Sequence, residues 1–230
     1  MKTITRHTIG LLTTLIILLG SPLAQASFQL ETMTVILDAG EGRKVFNVKN
    51  TSKEPILLST KVTDIEGGDA SAQDVLVSPP IIRIEPEQSQ QINFVLKKGV
   101  ELSHEALLKV SFQGIGATKE NVTKMPIRQD VAMLIVPTGI KVSQTPWDNL
   151  DVVQQGEELT LTNTGKQVIR LSPNFTALPS NEGLGIEQFY LRPGEKKIVK
   201  VKGNVNEIKL SPLSRYGFKT PNDVTRPVSH

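Results

Sequence analysis

Histidine, cysteine and clustered carboxylates do most protein chemistry, and this chain brings few of them together. It has three histidines and no cysteine. His7 falls in the first few residues, His230 is the last, and His104 stands alone in a polar loop. Without cysteine there is no thiol nucleophile, no Cys-ligated metal and no disulfide. No glycine-rich phosphate loop follows a strand, and no His/Asp/Glu group has metal-ligand spacing. Acid pairs such as Asp64 with Glu66, and Glu157 with Glu158, sit in turn-like contexts and read as solvated. Neither an enzyme nor a cofactor is expected. What remains is strand pattern, and the run of residues 125–136 carries a long one. In one strand register Met125, Ile127, Val131, Met133 and Ile135 share a face, with Gln129 the polar exception. Arg128 and Asp130 point the other way. Pro126 removes one amide, which an edge strand tolerates and a central strand does not. The run reads equally as a core strand with its odd face buried.

The elements that position this run are strands. Val77-Ser78-Pro79-Pro80-Ile81-Ile82-Arg83-Ile84-Glu85-Pro86 is followed by the alternating Gln91-Ile92-Asn93-Phe94-Val95-Leu96. Two adjacent prolines cannot sit in a helix interior or a central strand, so Pro79-Pro80 is a corner feeding an edge strand. No segment shows a helical period over 11 or more residues. The nearest candidate, residues 102–108, reads as easily as a loop entering a strand.

The two halves share a pattern. An alternating strand runs into an Asn-Thr turn and then an apolar strand at residues 45–58, and again at residues 158–171. Each half next carries a proline turn, Glu85-Pro86-Glu87 or Arg192-Pro193-Gly194, before another strand. Asn bonds its own backbone in such turns, and Pro presets φ. The repeated order predicts an all-β chain of two antiparallel, immunoglobulin-like sandwiches. The boundary is expected after the strand ending at Val136-Pro137, giving units at residues 27–138 and 139–230.

The first 26 residues read as a secretory signal. Lys2 and Arg6 supply the positive end, residues 9–19 the apolar core, and Ala24-Gln25-Ala26 the small-residue cleavage pattern, with the cut expected after Ala26. The apolar run is too short to span a bilayer, which needs about 20 residues. Removing Lys2 and Arg6 from the 26 basic residues leaves 24 against 23 acidic ones. So balanced a mature chain gives no support to nucleic-acid binding, which draws its affinity from concentrated positive charge. One Trp, two Tyr and seven Phe are too few for a carbohydrate face of stacked rings.

Taken together, the signal, the Pro-Pro-x-x-Arg-x-x-Pro corner, the long strand ending in Pro137 and the segment Phe189-Tyr190-Leu191-Arg192-Pro193-Gly194 resemble the PapD-like periplasmic pilus chaperones. The resemblance covers nearly the whole mature chain. It implies a boomerang of two immunoglobulin-like domains, an N-terminal strand at residues 28–37 and a periplasmic location. It also implies partners: a pilin or fimbrial subunit that lacks its last strand, and an outer-membrane usher that receives it. The chaperone's contribution is an edge strand with free N–H and C=O groups. On that reading residues 125–136 are the donor strand, with Met125, Ile127, Val131 and Met133 as the subunit-binding residues.

The departures are as informative. The family places an arginine in the first strand and a lysine in the long strand, which together hold the subunit's terminal carboxylate by charge-assisted bonds. Here those positions are Thr34 and Ala132, and the arginine usual before the terminal proline is Val136. The basic residues nearest the presumed cleft in the linear pattern are Arg83, Lys141 and Arg128, ranked in that order as substitute anchors. The competing reading is an exported two-sandwich structural or adhesin-type surface protein without a client. An exported hydrolase has no supporting residues.

Overall fold

The computed structural model describes residues 27–69, 71–116 and 125–230. The expected signal segment lies outside them. In the first half the strands are β1 (Phe28–Leu30), β2 (Thr34–Asp38), β3 (Arg43–Asn50), β4 (Ile56–Asp64) and β5 (Val75–Ser78). They continue with β6 (Ile81–Ile84), β7 (Ser89–Leu96), β8 (Ala106–Gly116) and β9 (Ile127–Val136). Alternation decides which side chains go inward. Phe46 and Val48 on β3, and Ile92, Phe94 and Leu96 on β7, are buried while their neighbours face outward.

These strands form a four-stranded sheet, β1-β3-β7-β5, packed on a five-stranded sheet, β2-β9-β8-β4-β6. Phe46 stacks on Phe112 of the facing sheet at 5.3 Å between centroids, and Phe94 meets both rings edge-on at 6.3 and 6.4 Å. Fully burying each such ring stabilises the sandwich by about 1.5–3 kcal/mol. The Pro79-Pro80 corner is the point where the chain leaves one sheet for the other, from β5 to the edge strand β6. Its turn is fastened by Thr60, whose N–H donates to the Pro80 carbonyl at 2.8 Å.

One expected strand is two. Residues 28–37 break at residues 31–33, so that β1 pairs antiparallel with β3 while β2 pairs parallel with β9. The break is held by Glu31, whose N–H donates to the Asn47 carbonyl and whose carboxylate accepts from the Asn47 N–H and side-chain amide.

The second half contributes β10 (Leu150–Gln155), β11 (Glu158–Asn163), β12 (Ile169–Leu178), β13 (Glu182–Gly185) and β14 (Tyr190–Leu191). After these come β15 (Lys196–Lys200), β16 (Glu207–Pro212) and β17 (Val224–Pro227). A three-stranded sheet, β10-β11-β15, faces β13-β12-β16-β17, with β14 also on β12. Its core, which includes Leu159, Leu161, Ile169, Leu171, Phe175 and Ile208, is separate from the first. The repeated Asn-Thr turns have one physical cause. Asn50 and Asn163, each fully buried at the end of its strand, donate to backbone carbonyls of a neighbouring loop and accept from the N–H two residues on. A small third cluster, Leu107, Leu134 and Val168 with Ile36, Ile65 and Tyr190 beside it, joins the two sandwiches.

Candidate functional site

The long strand β9 has two different edges. One pairs with β8 along nearly its whole length. The other is occupied by β2 only where Thr34 to Asp38 lie beside Ala132 to Val136. Among the described residues no strand pairs with that outer edge at residues 127–131. The open stretch exists because the chain switches sheets at residues 31–33, carrying β1 away from β9. Its core-side face graduates from exposed to buried. Met125 is 84% exposed, Ile127 is 37% exposed, Gln129 is half-buried and Val131 is 4% exposed. Met125 and Ile127 line a cavity of about 410 Å³ with Ile56 and the side-chain-free Gly114 and Gly116. Gln129 donates from Nε2 to the Phe28 carbonyl at 3.1 Å, tying the open edge of one sheet to the edge strand of the other.

The four residues expected to bind the subunit therefore differ in access. Met133 is wholly buried in the first core, and its edge is taken by Val35. It supports the strand and offers nothing outward. Val131 also packs in the core, so it presents backbone rather than side chain.

The opposite face of the same sheet looks toward the second sandwich. In register, Thr34 on β2 lies beside Ala132 on β9, which lies beside Lys109 on β8. Neither Thr34 nor Ala132 is basic, but a guanidinium arrives from the other sandwich. Arg170, on β12, donates from Nη1 to Thr34 Oγ1 at 2.8 Å and to the Arg215 carbonyl at 2.8 Å. Burial lowers the Arg170 pKa, against a smaller opposing pull from the Glu105 carboxylate. The Lys109 charge bears on Asp130, two residues before Ala132 on β9, and helps to lower its pKa. Arg170 and Lys109 both line an inter-sandwich cavity of about 410 Å³, together with Ala132, Tyr190 and three carboxylates, Asp64, Glu66 and Asp130.

The three cations expected at this place lie elsewhere. Arg83 is on β6, the far edge of the five-stranded sheet, with its Nε bonded to Glu85 at 2.7 Å. Arg128 is on the open stretch of β9 but is held by Asp130 at 2.8 Å and Ser111 at 2.9 Å. Partial burial of Asp130 works against its ionisation, yet the bonds from Arg128 and Ser111 prevail and hold its carboxyl below the usual range. Lys141 is exposed in the connection between sandwiches and lines neither cavity. Linear proximity to the cleft was a poor guide because the Arg170–Thr34 contact spans 136 residues. The only sequence signal for Arg170 is its place in the alternation of β12, facing away from the core between Ile169 and Leu171.

Residues 27–141 match the family described as pili and flagellar-assembly chaperone, PapD N-terminal domain. The chain belongs to this family. Over 198 residues it is 29% identical to an uncharacterized fimbrial chaperone, YhcA, of Escherichia coli K12, covering 85% of this chain and 88% of that one. In fold it is similar to a chain from the Salmonella enterica SafA pilin in complex with the SafB chaperone, with a TM-score of 0.72 and 20% identity over 90% of this chain and 98% of that chain. The Pseudomonas aeruginosa CupB2 chaperone gives a TM-score of 0.70 and 15% identity, over 87% of this chain and all of that chain. Two immunoglobulin-like sandwiches, and a role as a periplasmic assembly chaperone, follow from these matches. Of the readings the sequence left open, they support the chaperone over the surface scaffold.

In this chaperone the junction is pinned by Glu105, only 2% exposed at the entrance to β8. Its carboxylate accepts from the Val168 N–H at 2.9 Å and from Arg215 Nη2, and its own N–H donates to the Lys166 carbonyl at 2.8 Å. Burial raises its pKa, and the Arg215 charge and the Val168 bond offset only part of that. On the other flank Arg192 Nη1 donates to the Glu66 carbonyl at 3.3 Å, against the loop at Gly67-Gly68. A Cβ at Gly68 would stand 2.8 Å from that nitrogen, which can move aside, and 2.9 Å from the Ile65 carbonyl oxygen, which cannot, so the backbone of this loop requires glycine there.

Proposed function

We propose that this chaperone captures a pilus subunit lacking its last strand by lending it residues 125–131, and then hands it to an outer-membrane usher. The observation that carries the reading is the open outer edge of β9, which ends against Thr34. A subunit short of one strand exposes a groove and unpaired backbone groups. An edge strand supplies both deficits, with backbone pairing for affinity and alternate side chains for pockets. Met125 and Ile127 are the side chains placed to fill such pockets.

Charge sets the direction of the added strand. A client strand along residues 127–131 continues the line of β2 and stops where β2 begins. Arg170 stands over that end, with Lys109 on the next strand but one. Arg170 is the cation bonded at that end, and its guanidinium favours a chain-terminal carboxylate over a terminal ammonium, while Lys109 faces Asp130 and the cavity also holds Asp64 and Glu66. The client strand then runs parallel to β9, as β2 does. Arg170 is the principal anchor, in place of Arg83, Lys141 or Arg128.

A receiving partner must touch a surface left free while the edge is filled. On the outward face of the five-stranded sheet Leu57, Ile81 and Ile115 are 49%, 58% and 42% exposed; Leu57 pairs with Ile115, and Ile81, opposite Ser59, lies diagonally across from Leu57. This patch is the proposed usher contact. Export by a signal cleaved after Ala26, and two units meeting at residues 138 and 139, complete the reading.

The test is co-production with pilus subunits and pull-down from the periplasmic fraction. A one-to-one complex with a subunit that aggregates alone is expected, and Ile127→Glu should abolish it while the chaperone stays folded. Normal binding by that variant would sink the donor-strand reading.

A further inference from the structure

The chain has four methionines, and the three in the described residues differ sharply in access. Met133 is fully buried, Met33 is 51% exposed, and Met125 is 84% exposed at the leading end of the open edge. With no cysteine in the chain, thioethers are its readiest targets for two-electron oxidants. A thioether gives the donor face a flexible apolar side chain, and a sulfoxide is polar and chiral. We propose that Met125 is an oxidation site that switches client capture off, so that hypohalous acid or peroxide disables the donor edge while leaving the fold intact.

The step balances simply. The Met125 sulfur loses two electrons and gains one oxygen. With hypochlorous acid, chlorine is reduced to chloride and a proton is released. Return to the thioether by a methionine sulfoxide reductase consumes two thiols, forms their disulfide and releases water. Selectivity comes from the burial gradient along one strand. Met133, eight residues further on, is shielded by the first core and stays reduced for as long as the sandwich is closed. The chain thus carries its own internal standard: sulfoxide at Met125 without sulfoxide at Met133 reports oxidation of the folded protein.

The proposal rests on residues 125–131 being the donor edge. The test uses the full mature chain and the pilus subunit with which it co-purifies. The chaperone is treated with a small excess of hypochlorous acid, quenched with free methionine, mapped by peptide mass spectrometry and titrated with refolding subunit. Oxidised wild type is expected to lose affinity about tenfold or more, and reductase with dithiothreitol should restore it. Met125→Leu, close in volume and not oxidisable, is compared with itself and should show the same affinity after treatment as before it, whatever that affinity is, and Met33→Leu should remain sensitive. Unchanged binding by protein with stoichiometric Met125 sulfoxide overturns the proposal. So does equal loss in Met125→Leu. Met125→Glu and Ile127→Glu, measured without oxidant, separate the two readings. If they bind normally the donor edge itself is misassigned, whereas if they fail and the sulfoxide binds, only the switch is wrong.

Discussion

Arg170 Nη1 donates to Thr34 Oγ1 at 2.8 Å, joining the two sandwiches at the point where the free edge of β9 ends. A guanidinium from one sandwich thereby occupies the position where a basic side chain of the other was expected. For a ligand the two are not equivalent. On the proposed reading, an anchor on β12 would hold a client terminus only while the sandwiches keep their mutual arrangement, coupling client affinity to inter-sandwich geometry.

Replacing Arg170 by Leu is expected to weaken client binding by about 1.5–3 kcal/mol, the range for a hydrogen bond to a charged group. Titration of the purified chaperone with subunit measures it. Lys109→Ala should have a smaller effect, and Arg83→Ala and Lys141→Ala none. A subunit whose C-terminus is amidated should bind wild type and Arg170→Leu alike. If amidation changes nothing in wild type, Arg170 does not hold a carboxylate.

Two positions on one face of one strand should separate binding from folding. Ile127→Glu removes client capture and leaves the urea midpoint nearly unchanged, since the side chain already meets solvent. Met133→Glu places a carboxylate in the first core and lowers stability by at least about 3 kcal/mol, with binding lost only through unfolding. Chemical denaturation beside pull-down distinguishes the two outcomes.

The buried Glu105 gives the junction a pH dependence of defined sign. Its folded pKa is raised by burial, so in the window between the ordinary glutamate value and that raised value the folded state holds more protons than the unfolded one. Its contribution is therefore fullest below the ordinary value and is lost as pH rises through the folded one. Glu105→Gln cannot titrate. The stability of wild type relative to Glu105→Gln should fall with rising pH across that window, measured by denaturant midpoints at a series of pH values. A difference that grows with pH would contradict the assigned direction.

Asn50→Ala and Asn163→Ala should each cost about 1–3 kcal/mol, because each takes the side-chain donor from a buried carbonyl, that of Ile84 or those of Gln167 and Leu191. Nδ2 of Asn50 serves the carbonyls of Glu54, Ile84 and Glu85, and that of Asn163 serves those of Gln167 and Leu191. The two sites lie in separate cores, so the double variant should show the sum. Urea unfolding of the two singles and the double tests both statements.

The architecture was readable because it is written in short-range terms. Alternation at Phe46 and Val48, or at Leu159 and Leu161, states which face is buried, and the Asn-Thr and proline turns state where strands end. The break of residues 28–37 into β1 and β2 was not readable, because nothing in Glu31-Thr32-Met33 signals a change of sheet. The fastening partner, Asn47, lies on another strand. The site divided along the same line. Met125 and Ile127 could be singled out from local alternation, but telling them from Val131 and Met133 required knowing where β2 begins. Arg170 was invisible for a further reason: its function-bearing neighbour is brought to it by the packing of one sandwich on the other, which no local pattern encodes.

Because β2 occupies the same edge that a client would use, Thr34 acts as a fixed stop. The free stretch from residue 127 to residue 131 is about 17 Å long at roughly 3.3 Å per residue. On the proposed reading the chaperone, not its cargo, fixes how many backbone groups are seated, and every subunit is gauged against one length. A cargo strand one residue too long would have to buckle or withdraw its terminus from Arg170. A cargo strand one residue too short would leave Arg170 to its internal partners, Thr34, the Arg215 carbonyl and the Glu105 charge.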